Sequence, residues 1–255
     1  MYCDEEAVPE WYQYGGKIKH AKIEVTGATS LKNMFADCSK LESVDISKLD
    51  TAKVTNLSGL FKGCSKLKSV DLSKMDTAKV TDMSRMFGGC SKLTSVDLSG
   101  FYTAKVTDMS CMFYGCTEIE NIDLSRFDTA EVTNMSGMFA NCSQLTDLNV
   151  SNFNTSKVEN MTKMFFGCSS IKTLDLSNFD MSMAGKESSF SVKGGECTAM
   201  FASCSALTTI HTPQKTGIVV PALPTGTWKD TEGKSYSTLP KNATQSIILT
   251  KQNES

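Results

Sequence analysis

Cysteine returns in this chain at a fixed step of 26 residues: Cys38, Cys64, Cys90, Cys116, Cys142 and Cys168, with Cys204 following 36 residues later. Other columns keep the same step. Phe35, Phe61, Phe87, Phe113, Phe139, Phe165 and Phe201 stand three residues before each cysteine. A Met or Leu stands before each phenylalanine, and a Leu or Ile three residues after each cysteine. Seven copies at one period constrain the fold more than any composition could. A unit of 26 residues cannot bury an apolar face alone, so successive copies stack and form a solenoid. The longer last step implies an insertion of about ten residues in MAGKESSFSVKGGE, near 182–196.

The pattern inside one copy assigns its elements. In LKSVDLS, Leu67, Val70 and Leu72 end in strict alternation, which predicts a strand, and stacked copies then make a parallel sheet. In VTDMSRMFGGC, the apolar residues Val80, Met83, Met86, Phe87 and Cys90 share one face of a short helical turn. Thr81 or Asp82 can cap that turn. The residue before each cysteine is Asp37, Gly63, Gly89, Gly115, Asn141, Gly167 or Ser203. Six of these seven tolerate the left-handed conformation that stops a helix. Asp-Thr pairs such as Asp76-Thr77 suit a side-chain-capped turn. The fold class expected is therefore an α/β solenoid of about seven copies, right-handed and leucine-rich-repeat-like. Residues 1–30 form an N-terminal cap with a strand in KHAKIEVTG, 31–212 the array, and 213–255 a β-hairpin cap. In that cap Gly233 turns the hairpin and SIILT adds a third strand. Trp228 reads as a seal on the last copy in preference to a ligand platform.

The cysteines read as a buried, reduced ladder. Column neighbours lie about one strand spacing apart, but parallel side chains have unsuitable Cβ vectors for bridging. Some pairing remains the alternative. The Met and Phe columns read as core.

The repeat L-x-x-V-D-L-S-x-x-D-T-x-x-V-T-x-M-S-x-M-F-x-G-C-S resembles the 26-residue repeat of bacterial surface proteins of the BspA-like leucine-rich-repeat group. The resemblance covers about residues 31–212, and the tail GTWKDTEGKSYSTLP is similar to a module that often ends such arrays. It implies a secreted or cell-surface protein that adheres to a host or microbial surface protein or glycan, and no catalytic residues. Any secretion signal or anchor is expected outside this chain.

The residues agree in what they exclude. With 26 basic and 28 acidic side chains, no basic field calls for nucleic acid. No run of about 18 apolar residues spans a membrane. Two histidines, His20 and His211, stand far apart in sequence, and neither a phosphate-binding loop nor a CxxC pair is present. The reading is a non-enzymatic monomer without cofactor or metal.

Two sets of residues are candidates for binding. Asp71, Asp97 and Asp123 belong to an outward carboxylate column. It is read as structural, held by flanking serines and water, with a cation site as the alternative. Tyr102, Tyr114 and Phe166 break their columns: Tyr102 replaces Asp or Asn, while Tyr114 and Phe166 replace Ala, Lys or Gly. They are candidate contacts for a partner, drift of surface positions being the alternative. Cys111 reads as an exposed free thiol. The functions in view are adhesion through an extended repeat surface and, as the alternative, a passive spacer or stalk. At about 4.8 Å per copy the array is roughly 30 Å long, which is short for a stalk.

Overall fold

The structure, a computed structural model, describes residues 13–185, 199–217 and 219–252. Most of the inserted segment, with Cys197, lies outside these residues, as does Cys3. The seven copies stack as a repeat solenoid. Every column cysteine and every column phenylalanine is buried. The phenylalanines form one continuous pile, Phe35 to Phe201, with ring centroids 5.5–6.2 Å apart and rings within 14° of parallel. Such offset stacking adds aromatic attraction to area burial at each step. A second column, Leu49, Met75, Phe101, Phe127, Phe153 and Phe179, is buried in the same core.

The helical turn expected in each copy is not formed. Helix among the described residues is confined to a 3₁₀ pair at 13–14. The segment 83–90 is instead a ribbon of overlapping β-turns. Met86 donates its N–H to Met83 O, Gly88 to Arg85 O, and Cys90 to Phe87 O. Between them, Met83, Arg85, Phe87 and Gly89 donate to carbonyls of the next copy, at Asp108, Ser110, Met112 and Tyr114, over 2.6–3.0 Å. Alternate N–H groups thus close turns and join copies. Arg85 (φ 56°) and Gly89 (φ 80°) occupy third positions of type II turns, a left-handed setting that no helix permits. All seven residues preceding the column cysteines have positive φ, Ser203 included. A second left-handed column contains Asn33, Gly59, Arg85, Cys111, Gly137 and Lys163. The apolar offsets of the ribbon mimic a helix because both present a residue inward every three or four positions.

The parallel sheet is also more limited than expected. At the N-terminal end β1 (His20–Val25) pairs in parallel with β2 (Ser43–Leu49). At the other end β3 (Thr173–Asp175) pairs with β5 (Thr209–His211), and β4 (Asp180–Met181) with β6 (Lys215–Thr216). In the copies between, LKSVDLS keeps its alternation: Val70 and Leu72 are buried and Asp71 is exposed. Few ladder bonds form there, Thr94 N–H to Lys68 O being one. The N–H of Ser73 goes to the Asp71 carboxylate instead, at 2.9 Å. Short polar side chains compete for the backbone in this way. Parallel bridges run through Ser30, Asn56, Asp82, Asp108, Asn134 and Asn160, at the entry to the turn ribbon.

Beyond the last copy, β7 (Trp228–Lys229), β8 (Ser235–Tyr236) and β9 (Ile248–Lys251) extend the β3–β5 pair into a five-stranded sheet, ordered β3-β5-β9-β7-β8. β9 is antiparallel to β5, and Gly233 (φ 86°) lies in the β7–β8 turn. Trp228 is fully buried and donates Nε1–H to Pro224 O at 2.8 Å.

Candidate functional site

What the repeats hold in common is committed to holding copies together. Each column thiol is buried, and from the second copy on each donates to the carbonyl of a phenylalanine one copy back: Cys64 to Phe35, Cys90 to Phe61 and Cys116 to Phe87, at 3.1–3.2 Å. The remaining copies repeat the contact down to Cys204 and Phe165. All eight described cysteines are free thiols. Burial pushes the column thiols up, to about 12 for Cys90 and Cys142 and about 11 for Cys204. A thiol activated for nucleophilic attack is shifted the other way.

Sequence reasoning missed one buried column, although its Thr recurs at the same step. Thr77, Thr103 and Thr129 each clasp the next copy with a single hydroxyl. Thr77 accepts Tyr102 N–H at 2.8 Å and donates to Tyr102 O at 3.1 Å. Thr103 treats Asp128, and Thr129 treats Asn154, in the same manner.

The aspartate column is exposed. Asp71, Asp97 and Asp123 each accept the N–H of the serine two residues on, Ser73, Ser99 and Ser125, at 2.9 Å. The partner is one serine of the same copy, a correction to the expected serines on both sides. Backbone and hydroxyl donation from Ser73 holds Asp71 below the usual carboxylate value. At Asp97 the Ser99 hydroxyl and N–H do the same against repulsion from Asp71 and Asp123. Among the described residues no three His, Cys, Asp or Glu groups converge as a metal cage.

The histidines lie at opposite ends of the array, His20 on the capping strand and His211 in the last copy. His20 Nδ1 is 2.8 Å from Ser43 Oγ on the exposed β1–β2 pair, and His211 Nδ1 is 3.4 Å from Asp175 across β3–β5.

The three aromatic exceptions do not form one site. Tyr102 is 69% exposed and borders a 240 Å³ depression with Arg126 and Asp128. Tyr114 is 46% exposed and lies on the turn ribbon. Phe166 is two copies further along the same column, half-buried, with Lys163 Nζ 5.7 Å from its ring centroid. Cys111, expected to be exposed, is half-buried; burial raises its thiol pKa while Arg85 draws it down.

Tyr114 and Cys111 also wall a notch of about 360 Å³ with Lys62 and Arg85, floored by Gly88. The column of Tyr114 reads Ala36, Lys62, Gly88, Tyr114, Ala140, Phe166 and Ala202. The notch is the gap left where Gly88 has no side chain between Lys62 and Tyr114. That lone glycine was its only sign in the sequence.

The sequence matches the family described as "Mycoplasma protein of unknown function, DUF285" twice, over residues 29–142 and 115–209, spanning most of the array. The chain belongs to this family. Membership in DUF285 is consistent with the resemblance to BspA-like repeat surface proteins. Among solved structures the chain is similar to a T. pallidum leucine-rich repeat protein at 12% identity and a TM-score of 0.40, covering 78% of this chain and 72% of that one. No curated protein matches the sequence.

Proposed function

We propose that this DUF285 array is a non-enzymatic adhesion module, displayed outside the cell, that binds a surface protein or glycan through side chains departing from the repeat. The observation that carries this reading is Tyr102. Its column otherwise holds Asp or Asn, and Asp50, Asp76, Asp128, Asn154 and Asp180 each accept the N–H two residues ahead. Tyrosine gives up that cap and places an aromatic ring largely in solvent, a local cost of about 1 kcal/mol set against a contact surface. Tyr114 and Phe166 are the same kind of exception in another column. Purified, labelled chain should bind bacterial or epithelial cell surfaces, and Tyr102→Asp, Tyr114→Ala and Phe166→Ala should each weaken that binding several-fold with the melting temperature kept. Undiminished binding by all three variants would refute these residues as contacts. A chain that binds no surface would leave the array as a spacer.

A further inference from the structure

The notch at Gly88 has a chemistry of its own. Its backbone donors are all engaged: Lys62 N–H bonds Gly59 O, Gly63 bonds Gly88 O, Arg85 bonds Ser110 O and Gly88 bonds Arg85 O. Gly89, Cys111 and Tyr114 N–H are likewise taken, by Tyr114, Ser136 and Cys111 carbonyls. Any donor offered to a ligand must come from side chains, and the walls supply an ammonium, a guanidinium and a phenol. The lining contains no carboxylate, although Lys62 Nζ also forms a 3.8 Å ion pair with Asp37 outside it.

The floor offers the opposite. A Cβ placed on Gly88 would lie 3.3 Å from Cys111 O and 3.4 Å from Arg85 O, so carbonyl oxygens with a spare lone pair face the gap. Cationic walls call for an anion, acceptor floors call for hydroxyl donors, and an aromatic wall calls for a flat apolar face. One small ring fits, because the volume is at the lower end of ligand-sized clefts. An aromatic acid without ring hydroxyls supplies the anion and the face but no donors for the floor. A sugar acid supplies all three.

We propose that the notch binds a single anionic pyranose, a sugar ring carrying a carboxylate or sulfate, with the ring against Tyr114, hydroxyls to the Cys111 and Arg85 carbonyls, and the anion held by Lys62 and Arg85. This rests on the adhesive reading above and names its ligand class. The thiol of Cys111, kept neutral by its partial burial, adds no opposing charge.

The test is calorimetric titration of the full chain with methyl β-glucuronide, glucose 6-sulfate, methyl β-glucoside and sodium sulfate. At least one acidic sugar should bind tenfold or more tightly than both the glucoside and the free ion; which of the two it is identifies the anion. Gly88→Phe, which gives this copy the residue its column holds at Phe166, and Arg85→Gln should each weaken binding at least tenfold. Arg85→Gln should leave the melt unchanged and Gly88→Phe should lower it slightly, since its Cβ presses on the Cys111 and Arg85 carbonyls. Failure of both acidic sugars to bind more tightly than the glucoside, free sulfate binding as tightly as the better acidic sugar, or full binding by both variants would overturn the proposal. A chain that adheres to cells but ignores every acidic sugar keeps the adhesive function and loses this site. One that binds the sugar but no cell surface keeps the site and loses the function.

Discussion

Phe113 sits mid-array with its ring between those of Phe87 and Phe139, at 5.6 and 6.0 Å. Replacing it with Ala should cost about 3–5 kcal/mol, read as a lowered urea midpoint, because both flanking rings lose a stacking partner and the cavity cannot collapse. At this scale the sequence was most legible. A side chain repeated seven times at one step has one environment, so the burial of Cys90 or Phe113 follows from the period alone. Legibility ended where chemistry was ambiguous. Thr77 reads as a turn residue, and nothing in its type says that its hydroxyl lies buried against Tyr102 of the next copy. Gly88 reads as another small residue, and only its column shows that a side chain is missing.

At the scale of the element, the turn ribbon was mistaken for a helix because its apolar spacing is the same. The separating signal was the column Asn33, Gly59, Arg85, Cys111, Gly137 and Lys163, whose two glycines and one asparagine mark a left-handed position. The ribbon gives a contrast between glycines. Gly89 has φ 80°, and an added Cβ would meet Gly63 Cα and N at 3.4 Å, whereas Gly100 meets nothing within 4 Å. Gly89→Ala should therefore destabilise by about 1–2 kcal/mol and Gly100→Ala by a few tenths at most, measured by thermal melting. Equal effects would mean that the left-handed turn does not carry the stacking. The strand was legible in its alternation but not in its pairing, since D-x-S serines turn their N–H groups toward their own aspartates.

At the scale of the molecule, the thiol ladder makes stability depend on pH in a defined direction. Cysteine ordinarily ionises near 9.0, while Cys90 and Cys142 are held protonated to about 12. Below pH 9 both states bind the same protons, so that stability is fully present. Above it the unfolded chain releases protons that the folded one keeps, and each buried thiol removes about 1.4 kcal/mol per pH unit until its folded value is passed. The melting temperature should be flat from pH 7 to 8.5 and drop steeply by pH 10. A Cys90→Ser/Cys142→Ser variant should show a shallower alkaline fall.

The central claim is that features shared by all copies build the scaffold, while the exceptions bind. Returning three exceptions to the residues their columns hold elsewhere, Tyr102→Asp, Cys111→Gly and Tyr114→Ala together, tests both halves in one protein. The first restores a carboxylate cap, and the second places glycine at a left-handed position (φ 54°). The expected result is a melting temperature higher by a few degrees, for a gain of about 1–2 kcal/mol, with binding to cell surfaces reduced at least tenfold. A lower melting temperature, or surface binding equal to that of the parent chain, would contradict the account.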